Sequence, residues 1–394
     1  MAVDPIEFNS HRASSNFRDT NLKLIENDCP QYDQELGYTL VPGGGLFSIE
    51  HLASIGPAYI AGLGRAAKHL WDHHSGQDNV KHWPEPERRL AQVEKHDRTL
   101  LITEPHPQHL GESSTATNSV LLPGLTEMDI GSAYRLHKAM ARRHPERRTI
   151  TVTTPGVSLG GSDLPVSEGL TRKLEATAAE NLKLLPWLLK EGDIHLIGTS
   201  LGSYMVTLMA ELNLAANNGS QLDVTHVKLL SPAVGARNID QAEVGQVIEA
   251  DANDRELIEE ATGEFFAHMP FETLRQALRH PRAAGESTAV VAAYMLSPHR
   301  LLHRAAAIRG NLRGVQQGIE WTSIKNVARS HNLHILGGEV DPLIRLTIPQ
   351  WKAIKEIAPA TTKFWVVQDV GHAMTLNARG TATYLAHMER PEVS

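Results

Sequence analysis

The sequence predicts an α/β protein in which a mostly parallel central sheet is flanked by helices. From about Thr99 onward, short β-branched or aliphatic runs alternate with amphipathic segments of helix length, as parallel strands and crossover helices do. Residues 237–327 interrupt this alternation with helical patterns and no convincing strand. The 394 residues also exceed the roughly 250 to 300 that a single core usually absorbs. We therefore expect a sheet-containing core that carries an insertion.

The chain divides into three predicted parts. Residues 1–95 are expected to form a mostly helical N-terminal extension, and residues 237–327 an inserted helical cap. Residues 96–236 and 328–394 make up the α/β core. Within the extension, residues 46–71 have a helical pattern that follows a glycine-rich turn.

The elements of the core follow from hydrophobic periodicity. Apolar residues at helical spacing from Leu170 to Leu185 predict one helix that Pro186 should kink or end. A second amphipathic helix begins near Leu201 and has its stop signal at residues 217–219. The predicted strands are Thr99 to Thr103, Ser119 to Leu122, Thr149 to Thr153, Ile194 to Ile197, Val224 to Leu230, Leu333 to Leu336 and Lys363 to Gln368.

Composition limits the class of protein. With 41% hydrophobic and 21% charged residues the chain is typical of globular proteins, and its net charge of -7 offers no basic footprint for nucleic acid. Cys29 is the only cysteine, which excludes intrachain disulfides and cysteine-rich zinc sites. Residues 1–23 mix charged and polar side chains without the apolar run of a secretory signal, which predicts a cytoplasmic location.

The most apolar stretch runs from Leu52 to Gly64. It is too short to span a bilayer and is interrupted by Pro57. We expect a packed helix pair here, with a segment lying on a membrane surface as the alternative. Stable insertion into a membrane is not expected.

The first candidate catalytic motif is a G-x-S-x-G sequence, Gly198-Thr199-Ser200-Leu201-Gly202. It lies between an apolar run and the second amphipathic helix. In such a nucleophile elbow, a sharp strand-to-helix turn exposes the serine hydroxyl, and the glycines let neighbouring backbone come close. A glycine-rich bend with an incidental serine is the alternative. The flanking strand and helix favour Ser200 as a nucleophile.

On these residues the sequence resembles the α/β-hydrolase fold family, from about Thr99 to the C-terminus apart from the cap. The family places an acid and then a histidine after later strands. The resemblance assigns the acid to Asp341, which ends a G-x-x-D turn beginning at Gly338, and the general base to His372, in a Gly-His turn. Glu339 is an alternative acid, and a turn or helix-capping role is the alternative for Asp341.

The resemblance also implies an oxyanion hole made of backbone N–H groups. One donor is the N–H of Leu201, and the other is the N–H of Leu125 in the glycine turn after the strand that ends at Leu122. Gly124 of this turn is a candidate substrate contact. Pro123 stands where the family often has histidine, and a plain capped strand-to-helix turn is the alternative for this loop.

Two features of the cap are candidate substrate contacts. Phe265 and Met269 belong to an apolar stripe at helical spacing, which either packs the cap onto the core or lines an acyl pocket. Arg300 and Arg304 lie in the basic block of residues 297–314. This block either faces the preceding acidic block or water, or forms an anion-binding wall.

The resemblance implies a serine hydrolase that cleaves a carboxylic ester or related acyl bond of a small molecule through an acyl-enzyme, without a cofactor. Because the elbow carries serine and not aspartate, it disfavours dehalogenase and epoxide hydrolase chemistry. Cleavage of a thioester, lactone, amide or carbon–carbon bond stays open, as does a non-catalytic ligand-binding protein on this scaffold. We expect no metal site, because the pairs His73–His74 and His106–His109 have no third ligand at helical or hairpin spacing.

Overall fold

The fold is a sheet between layers of helices, seen in a computed structural model of the chain. The structure describes residues 31–33, 38–41, 49–75, 83–93, 96–109, 117–124, 132–155, 164–171, 173–189, 192–216, 222–232, 236–237, 274, 277–295, 302–303, 306–307, 309–310, 319–339, 341, 355–358, 360–368, 370–372 and 374–390.

Within the described residues, ten strands form the central sheet. They are β1 (Gln31–Asp33), β2 (Tyr38–Val41), β3 (Glu87–Val93), β4 (His96–Thr103), β5 (Asn118–Leu122), β6 (Arg148–Val152), β7 (Ile194–Thr199), β8 (Val224–Leu230), β11 (Asn332–Gly338) and β12 (Thr362–Val367), with β9 (Ala236–Arg237) and β10 (Ile319–Glu320) forming a separate parallel pair. The order across the sheet is β1-β2-β12-β11-β8-β7-β5-β6-β4-β3. Neighbours from β2 to β6 in this order run parallel, whereas β1, β4 and β3 are antiparallel to their neighbours. The predicted mostly parallel sheet is therefore confirmed.

The helices cover both faces of the sheet. They are α1 (Ile49–Ser75), α2 (Ser132–Arg143), α3 (Val166–Thr171), α4 (Leu174–Leu188), α5 (Leu201–Ala215), α6 (Pro281–Met295), α7 (Trp321–Ser330) and α8 (Ala378–Met388), with short 3-10 turns at Pro107–His109 and Met374–Asn377. Helices α4 and α7 pack against α5 on one side, and α2 packs against α8 on the other.

Strand alternation explains why both faces need a helical layer. In β5, Val120 and Leu122 belong to the hydrophobic cluster that α4 and α5 cover, while Leu121 belongs to the cluster under α2 and α8. Leu196 and Ile197 of β7 divide in the same way. Since successive side chains point to opposite faces, a strand that is apolar throughout requires burial on both sides.

Each predicted strand of the core is present. The two-residue strand β10 lies within residues 237–327, where no strand was expected, and its partner β9 was not predicted. Strands β1, β2 and β3 were not predicted either. These three strands lie within residues 1–95, which we expected to be mostly helical. Strands β1 and β2 are only three and four residues long. Strand β3 lies at the sheet edge and exposes Leu90 to solvent, so it lacks an apolar pattern. The division of the chain into extension, core and cap stays a prediction.

The two prolines have different effects. Pro57 lies inside α1, which is one helix of 27 residues and not the expected pair. Because proline has no N–H, α1 lacks a backbone donor at this exposed position and still continues. Pro186 lies inside α4, which ends two residues later at Leu188, close to the predicted end. Leu170, predicted in the same helix as Leu174, lies in the separate helix α3.

Helix α6, which lies within the predicted cap, packs against α1 of the predicted extension. Gly285 of α6 lies so close to the carbonyl oxygen of Tyr59 in α1 that an added Cβ would overlap it. Glu286, also in α6, forms ion pairs with Arg65 of α1 and Arg135 of α2. Of the helices in the described ranges, none combines the length and apolar character needed to cross a membrane.

Candidate active site

Ser200 stands at a strained turn between β7 and α5. Its backbone has φ 51° and ψ -119°, a positive φ that residues with a side chain rarely adopt. Its N–H donates to Leu230 O of β8 at 2.8 Å, so the turn is fixed to the neighbouring strand. The strain holds the hydroxyl out of the sheet, as the predicted elbow requires.

Glycines at both sides of Ser200 allow the turn to close. A Cβ at Gly198 would overlap the backbone of Gly202, and a Cβ at Gly202 would overlap the carbonyl oxygens of Leu122 and Pro123. Gly202 therefore lets the start of α5 come close to the end of β5. Any larger residue at either position would have to push backbone apart.

A hydrogen-bonded chain joins the three predicted catalytic residues. His372 Nε2 lies 2.7 Å from Ser200 Oγ, and His372 Nδ1 lies 2.9 Å from Asp341 Oδ2. The Asp341 side chain is fully buried, and that of His372 is 17% exposed. Because an ionised carboxylate only accepts hydrogen bonds, the imidazole proton is assigned to Nδ1, which leaves Nε2 to accept from the serine hydroxyl.

The turn after β11 places the acid. Asp341 N donates to Gly338 O at 3.2 Å, and Glu339 N donates to Val367 O of β12 at 3.0 Å. A Cβ at Gly338 would overlap the carbonyl oxygen of Val370, so this glycine brings the acid turn against the histidine loop. Of the two candidate acids, Asp341 contacts the imidazole, whereas Glu339 is exposed.

The loop after β12 places the base. His372 is followed by the 3-10 turn Met374–Asn377 and then by α8. Asn377 Oδ1 accepts from Gly380 N at 3.0 Å and caps α8, while Thr381 Oγ1 donates to Met374 O at 3.1 Å. The capped helix start thus fixes the loop that carries the imidazole.

The oxyanion donors are only partly within the described residues. Leu201 is the first residue of α5, and N–H groups in the first turn of a helix have no intrahelical partner. Gly124 is buried in the segment that follows β5. The predicted donor Leu125 lies outside the described residues. Also outside them are the candidate substrate contacts Phe265, Met269, Arg300 and Arg304.

Two supporting serines were not predicted. Ser203 is fully buried in α5, and its hydroxyl donates to Gly198 O at 2.8 Å. Ser231, directly after β8, has φ 42° and is also buried. A serine three residues after the nucleophile, in the mostly apolar first half of a helix, is a signal that could have identified Ser203. No local pattern marks Ser231.

This geometry suits nucleophilic substitution at an electrophilic carbon. A base lies within hydrogen-bonding distance of a hydroxyl, and a buried carboxylate orients the base. The elements come from separate strands whose carboxyl ends meet at one edge of the sheet. In open α/β sheets this edge is where ligands bind.

The sequence of this chain matches a known protein family. A sequence profile of the Alpha/beta hydrolase family matches residues 120–383, which include Ser200, Asp341 and His372. No curated protein matches the chain significantly in sequence.

Solved structures resemble this chain at low identity. The Cif epoxide hydrolase from Acinetobacter nosocomialis is 13% identical with a TM-score of 0.51, over 91% of this chain and 100% of that one. A membrane phospholipase A described as a bacterial virulence factor is 17% identical, with a TM-score of 0.49 over 82% and 91% of the two chains. The thioesterase domain from the curacin biosynthetic pathway is 14% identical, with a TM-score of 0.49 over 77% and 99%. At 13% identity, the similarity to the Cif epoxide hydrolase shows the fold and leaves the reaction open.

The family assignment therefore comes from the sequence match, which spans more than half of the chain, together with the sheet order. The chain belongs to the α/β-hydrolase family.

Proposed function

We propose that this protein is a serine hydrolase that cleaves a carboxylic ester or related acyl bond of a small molecule. The observation that carries the proposal is the continuous chain from Ser200 Oγ through the His372 imidazole to Asp341 Oδ2, with distances of 2.7 and 2.9 Å. A neutral serine hydroxyl is a weak nucleophile, and this arrangement supplies the base that activates it.

The first half of the reaction forms an acyl-enzyme. Ser200 Oγ attacks the substrate carbonyl carbon while its proton passes to His372 Nε2. Asp341 stays ionised and stabilises the imidazolium. When the tetrahedral intermediate collapses, the bond to the leaving group breaks and the leaving group takes the proton from His372.

Water completes the cycle. His372 accepts a proton from a water molecule as that water attacks the acyl carbon. Collapse of the second intermediate releases the carboxylic acid, and the proton returns to Ser200 Oγ. These steps need only proton transfers and water, so the proposed reaction requires no cofactor.

The developing negative charge on the substrate oxygen needs fixed donors. We assign this role to the N–H of Leu201, at the start of α5, and to the N–H of Leu125. Each such donor contributes about 3 to 4 kcal/mol to transition-state stabilisation in similar sites. The side chains and backbone proposed to contact the rest of the substrate are Gly124, Phe265, Met269, Arg300 and Arg304.

Covalent labelling tests the nucleophile. We expect a serine-reactive phosphonate to add one mass label to the wild type and none to Ser200→Ala. Ser167→Ala is the matched control, because Ser167 is an exposed serine on α3, and it should label like the wild type. Equal labelling of Ser200→Ala would contradict the assignment.

A substrate panel then tests the bond class. We would compare p-nitrophenyl esters of rising chain length with an amide and a lactone, using Ser200→Ala throughout. Ester turnover that depends on Ser200 supports the proposal. Labelling without turnover of any member would favour a ligand-binding protein that has kept a reactive serine.

A further inference from the structure

A second cluster of chemically active side chains lies at the other end of β7. Asp193 directly precedes this strand and His195 lies within it, two residues later, so both side chains are on the same face. His195 is the register partner of His226 on the neighbouring strand β8. The two strands therefore bring one carboxylate and two imidazoles together.

The donor atoms are close enough to share one ion. One ligand atom each from Asp193, His195 and His226 lies within 4.8 Å of the others. His195 Nε2 is 3.2 Å from Asp193 Oδ2, close to the edge of about 3.3 Å between tetrahedral ligands with bonds of about 2.0 to 2.1 Å. Thr225 Oγ1 lies 3.1 Å from Asp193 Oδ2 and 3.0 Å from His226 Nδ1, so it links His226 to the same carboxylate oxygen that contacts His195.

The cluster is accessible on one side and supported on the other. The Asp193 side chain is 31% exposed and that of His195 is 4% exposed, so an ion can enter from solvent and keep water as a further ligand. Glu389 Oε1 lies 3.6 Å from His195 Nδ1. A carboxylate behind a ligating imidazole is the usual outer support in protein metal sites.

We propose that Asp193, His195 and His226 bind one divalent transition-metal ion, represented by Zn²⁺, which ties the start of β7 to β8. Two imidazoles with one carboxylate suit zinc and its neighbours in the transition series. Mg²⁺ and Ca²⁺ prefer oxygen ligands and are not expected to bind. The site is separate from Ser200, which lies at the opposite end of β7.

Proton and charge balance determine how tightly the ion is held. Lys228 Nζ and Arg147 Nη1 each lie 3.1 Å from His195 Nδ1, and since both only donate, the imidazole proton lies on Nε2 and points at Asp193. Zn²⁺ at Nε2 displaces this proton to Nδ1, where Glu389 is the acceptor and where neither the Lys228 ammonium nor the Arg147 guanidinium can donate any longer. Lys228 therefore opposes binding, and its removal should tighten it.

The test uses the full chain without an affinity tag, freed of metal by chelation. Calorimetry with Zn²⁺ should show one equivalent bound, and Co²⁺ in its place should give the visible absorption of a low-coordinate ion. Asp193→Asn and His226→Gln should each weaken Zn²⁺ binding by more than about tenfold. Lys228→Met should strengthen it. The wild type should gain thermal stability with Zn²⁺, because a ligand that binds only the folded state stabilises it.

His106→Gln is the matched control, because His106 packs beside His109 in another histidine pair. Binding that disappears in His106→Gln and survives in His226→Gln would overturn the proposal. So would the absence of binding by folded wild type at submillimolar Zn²⁺. Since Ser200→Ala should bind Zn²⁺ like the wild type, this result is independent of the proposed hydrolase activity.

Discussion

The two ends of strand β7 both gather polar side chains, and they arrange them in opposite ways. At the carboxyl end, a fully buried acid and a mostly buried imidazole lead to Ser200, which is only partly buried. At the amino end, His195 lies among Asp193, Lys228, Arg147 and Glu389, and both cations there pair with Glu389. At the carboxyl end the hydrogen bonds lead to a hydroxyl group that can react, whereas at the amino end the charged side chains pair with one another.

The pKa shifts at the amino end fit this closed arrangement. Burial lowers the pKa of Lys228 to about 8, and burial next to His195 and Lys228 lowers that of His226 to about 3. Burial alone would raise the pKa of Glu389, but His195, Lys228 and Arg147 hold it well below its usual range. The acids at this end are therefore ionised at neutral pH and offset the cations.

The difference shows why polar groups accumulate at strand ends. The middle of β7 lies between two helical layers and is apolar, so polar side chains can enter the fold only near its ends. At the carboxyl end the strained turn keeps Ser200 only partly buried. At the amino end the side chains of β8 and the end of α8 fill the space, which favours stability or ion binding.

The largest expected effect is on the rate of the proposed hydrolysis, which should depend on the carboxyl end of β7 and not on its amino end. Ser200→Ala should lower kcat for ester hydrolysis by about 10⁴- to 10⁶-fold, because the reaction loses its nucleophile. Asp193→Asn, at the amino end of the same strand, should leave kcat within about threefold if folding is unchanged. Initial-rate kinetics with circular dichroism checks both. A similar loss in the two variants would show that the ends are not independent.

The second prediction concerns the ion pairs of the amino end. Glu389 contacts Arg147 through both carboxylate oxygens, at 2.9 and 2.6 Å, and also pairs with the fully buried Lys228. Glu389→Gln leaves the buried Lys228 without its carboxylate, while Arg147 keeps Glu146 at 3.3 Å. The free energy of unfolding should therefore fall by about 3 to 5 kcal/mol in urea titrations.

The control for this prediction is an exposed pair. Glu87 and Arg89 of β3 form a salt bridge with both side chains more than two-fifths exposed, at 44% and 49%. Glu87→Gln should change the free energy of unfolding by less than about 1 kcal/mol. If the two glutamate substitutions have equal effects, the amino end does not depend on charge pairing.

Sequence patterns predicted the carboxyl end far better than the amino end. Ser200 has a motif around it, and Asp341 and His372 follow predicted strands in the order that the resemblance implies, so their positions could be named before the structure. Their contact is a matter of geometry that the sequence does not contain. Their catalytic roles stay a prediction.

The amino-end cluster could not be predicted from local spacing. His195 and His226 each lie alone in an apolar strand, and they become neighbours only because β7 and β8 are adjacent. A search for histidines at helical or hairpin spacing therefore finds other pairs and misses this one. The edge strands β1 to β3 were missed for a related reason, because short or exposed strands lack the apolar alternation that predicts them.

A third prediction concerns a buried histidine that lies at neither end of β7 and makes the stability of the protein depend on pH. His137 of α2 has both ring nitrogens 2.8 Å from hydroxyls, those of Thr103 and Thr151, and burial lowers its pKa to about 3. Its pKa in the unfolded chain is about 6.5, so the unfolded state binds the proton more readily. The stability it contributes is complete above about pH 6.5 and is lost as the pH falls towards 3.

For His137 this linkage amounts to about 2 kcal/mol of unfolding free energy between pH 7.5 and pH 5. His137→Gln should therefore lose less stability over this interval than the wild type, measured by urea unfolding at both pH values. His106→Gln, in the more accessible pair near Pro107–His109, should follow the wild type. If the unfolding free energy of His137→Gln changed with pH as much as that of the wild type, the loss of stability in acid would be assigned to the histidines at the amino end of β7.

The smallest expected effect tests whether strain at the carboxyl end extends beyond Ser200. Ser231 has φ 42°, and among the described residues its buried hydroxyl has no hydrogen-bond partner. Glycine adopts positive φ freely, whereas alanine keeps the penalty of roughly 1 to 2 kcal/mol. Ser231→Gly should therefore be more stable than Ser231→Ala by about 1 kcal/mol in urea titrations, since added chain flexibility offsets part of the gain. If alanine were the more stable substitution, the turn after β8 would not be strained, and Ser200 would be the only strained serine among those described.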